Sequence, residues 1–439
     1  MAIRGVFTSI LLTLLPLGAA AAGTLDASER KMVQWIDHNV EAAIDLLEET
    51  VNISSGSNNH EGVREVGRVM RRELDALGLS TEWIDQSHVG RAGHLFGSQK
   101  DGDGWRFLLI GHLDTVFEAD DAFQSFVRHG DTASGPGVDD MKSGNVVMVY
   151  ALKALQQVEA LEELQVVVAY TGDEERPGRP IADSRRHLVE AGKWADYSLG
   201  FEAAVTEDGV DWATIARRSS GGWQVEVTGR QAHSSGIFSE DTGAGAIFEA
   251  GRILTAFYED VRGEGYLTFN AGTILGGTDV DYDAAQNRGT AFGKANVVPR
   301  RVVINGGLRC ISIEQQERAK QAMRDVVADN LPHTGASITF SDGYPPMAPT
   351  TGNRRLYAIL SEINVALGRE PMQVLDPSRR GAADISFVAP YSHAIAGMGA
   401  LGSGGHTPYE TLDLASMALA IKRTALLIYR LNREARPDQ

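Results

Sequence analysis

Cysteine is all but missing from this sequence: Cys310 is the single one in 439 residues. No intramolecular disulfide can form, so stability has to come from a packed core or from bound ions. Flanked by Arg309 and Ile311 in a strand-like run, Cys310 reads as a small buried residue rather than a nucleophile. Positive charge is also short, with 41 Lys and Arg against 58 Asp and Glu for a net charge of −17. With no basic stripe to neutralise phosphates, nucleic acid is excluded as a partner. The nucleophile elbow G-x-S-x-G, the P-loop and the zinc motif H-E-x-x-H are absent as well, since His60-Glu61 runs on into Gly62-Val63-Arg64. Serine hydrolases and single-zinc proteases therefore lose their support. Internal repeats are lacking, and no low-complexity stretch follows the opening segment.

What is present is an ordinary globular composition, 43% apolar and 23% charged, on a chain long enough for two domains. The opening segment, Met1 to Gly23, reads as an export signal: Arg4 is its positive end, Val6 to Leu17 its apolar core, Gly18 to Ala22 its small residues. Removal of residues 1–22 would leave a periplasmic or secreted protein with no stable membrane association. An uncleaved anchor is the rival reading; Pro16 and the alanine run suit cleavage better than spanning.

Apolar residues at Met32, Ile36, Val40, Ile44 and Leu47 predict a helix over Asp26 to Val51, and Val66, Met70, Leu74 and Leu77 a second ending at Gly78. Short strands are expected at Thr81 to Ile84, Arg91 to Phe96 and Trp105 to Ile110, then a helix Asn145 to Gln157 and strand Leu164 to Tyr170. Helix Ser184 to Lys193 and strand Tyr197 to Phe201 follow. Strands alternating with helices indicate an α/β fold with a mainly parallel, helix-flanked sheet. After about Thr214 the order becomes βαββαβ, the ferredoxin-like split motif, interrupted by a long polar loop from Gly276 to Pro299. The first rhythm resumes near Gly352, with a helix Arg354 to Leu367, a strand near Val374, a helix Ala382 to Val388, a strand His393 to Met398 and a closing helix. The chain thus divides into a discontinuous catalytic domain, residues 23–214 and 345–439, and an inserted lid or dimerisation domain, residues 215–344.

The chemistry concentrates where strands end. His112 and Asp114 in GHLDTV lie two residues apart and so point the same way, at the strand end where open α/β sheets keep ligands; Asp114 would orient the His112 ring. Alone the hexapeptide is a weak signal, because a metal site needs further partners. Asp140 in GPGVDDMKSG, Glu174 and Glu175 in TGDEE, Glu202 after the next strand and His406 in a late loop supply them. Carboxylates gathered at one sheet edge repel unless cations sit between them, so two divalent metals bridged by a carboxylate is the economical reading. Mixed imidazole and carboxylate ligands favour zinc, with manganese or cobalt as alternatives.

The motifs GHLDTV, GPGVDDMKSG, TGDEE, FEAA, AHSSG, ANVVP, LRC and GGHTPYETLD, in this order around a βαββαβ insertion, resemble the dinuclear zinc aminoacylase and carboxypeptidase family over nearly all of the mature chain. The resemblance implies one zinc on His112, Asp140 and Glu202, and another on Asp140, Glu175 and His406. Asp140, directly before Met-Lys, would bridge; Asp139 stands where relatives often carry alanine. Glu174 would be the general base for a metal-bridging water. His233 of AHSSG would reach across a homodimer, formed through the inserted domain, to stabilise the oxyanion, while Asn296 and Arg309 would grip a substrate carboxylate.

Departures bear on substrate. The family's glycine-rich loop is here Arg380-Gly381-Ala382-Ala383-Asp384, leaving Gly381 alone for backbone contact, and Gly343-Tyr344-Pro345 replaces a basic residue of the glutamate carboxypeptidase branch. Asp279, Asp281 and Asp283 lack the glycine of a calcium loop, so that segment reads as solvated. The expected activity is carboxypeptidase-type cleavage of an amide next to a free carboxylate, glutamate carboxypeptidase-like, on a small peptide or N-acyl amino acid. An N-acyl amino acid deacylase or dipeptidase is the rival within the family, and a noncatalytic metal- or peptide-binding relative the rival outside it.

Overall fold

The structure is a computed structural model and describes residues 24–435; the export-signal segment lies outside the described residues. No helix among the described residues is long and apolar enough to cross a membrane.

The central sheet has six strands in the order Ser80–Asp85, Gly93–Gln99, Gln165–Thr171, Arg106–His112, Tyr197–Gly200, His393–Ile395. The last four run parallel, and the first two form an antiparallel edge. Alternation along one strand feeds two cores. Phe107 and Leu109 pack with Met148 and Leu427, from the helices Ser143–Gln156 and Ala415–Asn432, whereas Leu108 and Ile110 pack with Leu188 and Val388 on the other face. The helix Ala27–Val51, also in the first core, starts where the Asp26 carboxylate accepts the Glu29 N–H at 2.8 Å and the Glu29 carboxylate accepts the Asp26 N–H at 2.7 Å. Parallel register sets His112 opposite Thr171 and Ile110 opposite Gly200, so the segments leaving these strands emerge at one edge.

The second unit is a four-stranded antiparallel sheet ordered Thr268–Gly277, Arg301–Arg309, Gly221–Gly229, Thr334–Asp342. The helices Ala246–Ala256 and Ile313–Ala328 cover it, with a separate core of Trp223, Val225, Ile253, Phe257 and Met323. Its connections to the main unit run side by side: Arg217 and Met347 exchange backbone hydrogen bonds, both 2.9 Å, and the Ser220 N–H donates to the Tyr344 carbonyl at 2.9 Å.

Several elements differ from expectation. The segment expected as a polar loop holds a hairpin, Asp279–Asp283 with Arg288–Phe292. Asp279, Asp281 and Asp283 alternate with a buried Val280 and a half-buried Tyr282, a strand period hidden by its aspartates. The strand near Val374 pairs with Val210–Ala213 rather than with the central sheet. The helix expected from Ala382 is confined to Ile385–Val388, because Asp384 is engaged below the site.

Candidate active site

The sheet edge gathers the acidic and imidazole side chains. The His112 ring donates from Nδ1 to the main-chain carbonyl of Asp114 at 3.0 Å, which turns Nε2 toward Asp140 Oδ1 at 3.1 Å and Glu202 Oε1 at 3.8 Å. The ring's short contact is therefore to the Asp114 backbone; the carboxylate stands 3.5 Å from Nδ1. That carboxylate instead accepts the N–H groups of Glu174 and Glu175, at 3.0 and 3.1 Å, and the Ser57 hydroxyl at 2.6 Å. Across the site, His406 Nε2 lies 3.1 Å from both Asp140 Oδ2 and Glu175 Oε2.

Asp140 thus offers one oxygen to each histidine, and the ligand atoms fall into three close groups: His112 with Asp140 and Glu202, Asp140 with Glu175 and His406, and His112 with Glu174 and Glu175. Glu175 Oε1 is buried with no hydrogen-bond partner. Two carboxylate and imidazole sets sharing a central aspartate, with an orphaned carboxylate oxygen, fit a pair of divalent cations.

The electrostatics agree. Burial lifts Glu174 well above the usual carboxylate range and raises Glu175 and Glu202. Hydrogen bonds donated to the carboxylates of Asp140 and Glu175 push His406 up to about 11. Burial opposes charge on His112, but Asp114 and Asp140 outweigh it and hold the ring well above its ordinary value.

The loop carrying Asp140 has no ladder to hold it and is fixed by Glu410, whose carboxylate accepts the N–H groups of Gly137, Asp139 and Asp140 at 3.1, 2.8 and 2.9 Å. Beneath Glu174 lies a second, closed cluster. Arg185, fully buried, donates to Asp173 Oδ1 at 2.5 Å, to Asp384 Oδ1 at 2.7 Å and to the Tyr344 hydroxyl at 2.9 Å. Arg217 is 3% exposed and donates Nη1 to the Gly381 carbonyl at 3.1 Å, yet its Nε and Nη2 have no partner. Arg185 and Arg217 stand in no motif, and Glu410 and Tyr344 carried no signal beyond theirs, because the partners of all four lie far away along the chain.

The remaining expected residues sit apart. His233 is exposed on the inserted unit, its Nδ1 2.8 Å from the Ser235 hydroxyl. Asn296 is its neighbour, its carbonyl accepting the Ser234 N–H at 2.9 Å. Arg309 ends the strand Arg301–Arg309 and is exposed. Gly381 is exposed, with open space where a side chain would start. Among the described residues, none of these four hydrogen-bonds or ion-pairs with the acidic cluster of the same chain.

The sequence profile of Peptidase family M20/M25/M40 matches residues 108–430. Carboxypeptidase G2 of Pseudomonas sp. (strain RS-16) is 26% identical over 422 residues, covering 94% of this chain and 95% of that protein. The crystal structure of aminopeptidase PepT from Bacillus cereus superposes with a TM-score of 0.70 at 17% identity, over 90% of this chain and 99% of its own. The Bacillus subtilis YXEP protein, described as a dinuclear metal-binding peptidase, superposes with a TM-score of 0.60 at 16% identity, over 90% and 99%. At such identities these two structures speak for the fold.

Proposed function

Because the chain belongs to Peptidase family M20/M25/M40 and is a peptidase hydrolase, we propose that it is an exported two-zinc carboxypeptidase that cleaves an amide bond next to a free carboxylate. The observation that carries this reading is Asp140, placed between His112 and His406 with Glu175 and Glu202 completing a set on either side. One ion would rest on His112, Asp140 and Glu202, the other on Asp140, Glu175 and His406, with manganese or cobalt as substitutes for zinc. Divalent ions so held lower the pKa of water to about 7 and polarise a carbonyl.

The chain's own groups do the rest. Glu174, its carboxyl raised by burial, takes the proton of the attacking water and returns it to the leaving nitrogen. Asp114 sets the geometry twice, through its carbonyl on His112 and its carboxylate on the Glu174 and Glu175 amides. Arg217, Arg309, Asn296 and the Gly381 backbone are the groups for a substrate carboxylate; the unpartnered Nε and Nη2 of Arg217 give it the strongest support. His233, exposed and away from its own cluster, would serve a partner subunit's site as an oxyanion donor. The exposed Phe238 and Phe248 beside a cavity of about 590 Å³ give the inserted unit an apolar face for such a homodimer.

The test is Glu174→Ala in the metal-loaded mature protein, assayed on peptides, folate-type conjugates and N-acyl amino acids. Hydrolysis should vanish while both ions remain; a fully active variant removes the mechanism. Preference for N-acyl amino acids or dipeptides would move the assignment to a deacylase or dipeptidase, and inertness of the parent on the whole panel to a noncatalytic binding protein. His233→Ala should lower kcat roughly a hundredfold, and an unaltered rate rejects its role.

A further inference from the structure

Glu174 lies three residues beyond Thr171, the last ladder residue of its strand, so no sheet pairing fixes the peptide from which the proposed base projects. Side chains hold it instead. On one side the Asp114 carboxylate accepts the Glu174 and Glu175 N–H groups. On the other, the Tyr344 hydroxyl donates to the Glu174 carbonyl at 2.7 Å while accepting from Arg185 Nη2 at 2.9 Å. Arg185 Nη2 also donates to the Asp173 carbonyl, at 3.1 Å. Tyr344 comes from the connection that returns from the inserted unit, where its own carbonyl accepts the Ser220 N–H at 2.9 Å, and its ring meets Phe387 edge-on at 4.9 Å.

We propose that Tyr344 is a positioning residue for Glu174: its hydroxyl, locked by Arg185, clamps the base's peptide against Asp114 so that the carboxylate is presented in one place. This rests on Glu174 being the base. The hydroxyl can donate only one hydrogen. Arg185, which has only donors, supplies the bond that the phenol oxygen accepts and leaves that hydrogen directed at Glu174. A shift of about 1 Å in a reacting group can cost two orders of magnitude in rate, which makes a backbone clamp of this kind visible in kinetics.

Tyr344→Phe removes the hydroxyl and keeps the ring against Phe387. In the metal-loaded enzyme kcat should fall roughly ten- to a hundredfold, with KM within about twofold, two metal ions per chain by elemental analysis and an unchanged circular dichroism spectrum. An unaltered kcat overturns the proposal, and so does a loss of metal or a rise in KM that accounts for the lost rate, since either would make the hydroxyl a general structural support. Glu174→Gln, measured alongside, separates the two readings. If it is inactive and Tyr344→Phe is normal, the clamp alone is wrong; if Glu174→Gln is active, the base assignment falls and the clamp with it.

Discussion

Two ionic clusters meet back to back at the Glu174 peptide, and they are built on opposite plans. In the deeper one every carboxylate oxygen is answered: Asp173 by Arg185, Ser184 and the Gly178 N–H, Asp384 by Arg185 and Thr171. In the outer one Asp140 meets His112 and His406, Glu175 meets His406 and Glu202 meets His112, and Glu175 Oε1 has no partner. A closed network has satisfied its own desolvation cost and belongs to the scaffold. An open one of this acidity has a deficit that a ligand must fill, and the ligand it calls for is cationic. The difference divides carboxylates as close in sequence as Asp173 and Glu174 into a satisfied network and an unsatisfied one.

The sharpest way to break this comparison is to spoil each cluster in turn. Asp140→Asn should abolish hydrolysis and lower the metal content below two ions per chain, while the unfolding midpoint of the metal-free protein moves little; two retained ions would end the bridging assignment. Arg185→Met should act chiefly on stability: both ions are retained, and kcat falls no further than in Tyr344→Phe, whose hydroxyl Arg185 locks. Leaving Asp173 and Asp384 buried without their cation costs about 3–5 kcal/mol, read by urea denaturation of the metal-free protein, and a change below about 1 kcal/mol would show that the inner network is not the support described.

The same contrast explains what could be read from residues alone. His112, Asp140, Glu175, Glu202 and His406 each follow an apolar strand or sit in a motif of distinctive order, so their convergence was legible once the strands were aligned. The two-unit organisation was legible for the same reason, since the βαββαβ order interrupts a βα rhythm. The inner cluster was not. Arg185 and Asp384 are 199 residues apart and Arg185 and Tyr344 are 159 apart, separations on which periodicity has no purchase. Asp114 shows a subtler limit: spacing placed it beside His112, but whether carbonyl or carboxylate met the ring depended on the Glu174 and Glu175 amides competing for the carboxylate. The hairpin Asp279–Asp283 with Arg288–Phe292 was missed because its second strand is exposed along its whole length and carries no buried face.

The gentlest test reads both clusters at once through pH. Arg185 outweighs burial and holds Asp173 below its ordinary value, so that contribution is present above the unfolded carboxylate pKa and is lost only as pH falls through the lower folded value; between pH 6 and 9 it is flat. In the metal-free outer cluster the signs are opposite. Glu175 and Glu202 are raised, so folding binds protons that the unfolded chain has released, and stability declines as pH rises past about 4.5. His112 and His406 are raised as well, His406 to about 11; their contribution is complete below about 6.5 and drains away as pH climbs through the folded values. With His406 discounted for its exposure, the outer cluster's contribution to the stability of the metal-free protein should decline between pH 6 and 9. Zinc must displace those protons to bind, so its affinity rises with pH and the loaded protein should show a flat or rising profile over the same interval. Urea denaturation of chelator-treated and zinc-loaded protein across that range gives both curves. Parallel profiles would mean that the outer cluster does not exchange protons for metal, and the distinction between the two clusters would then rest on burial alone.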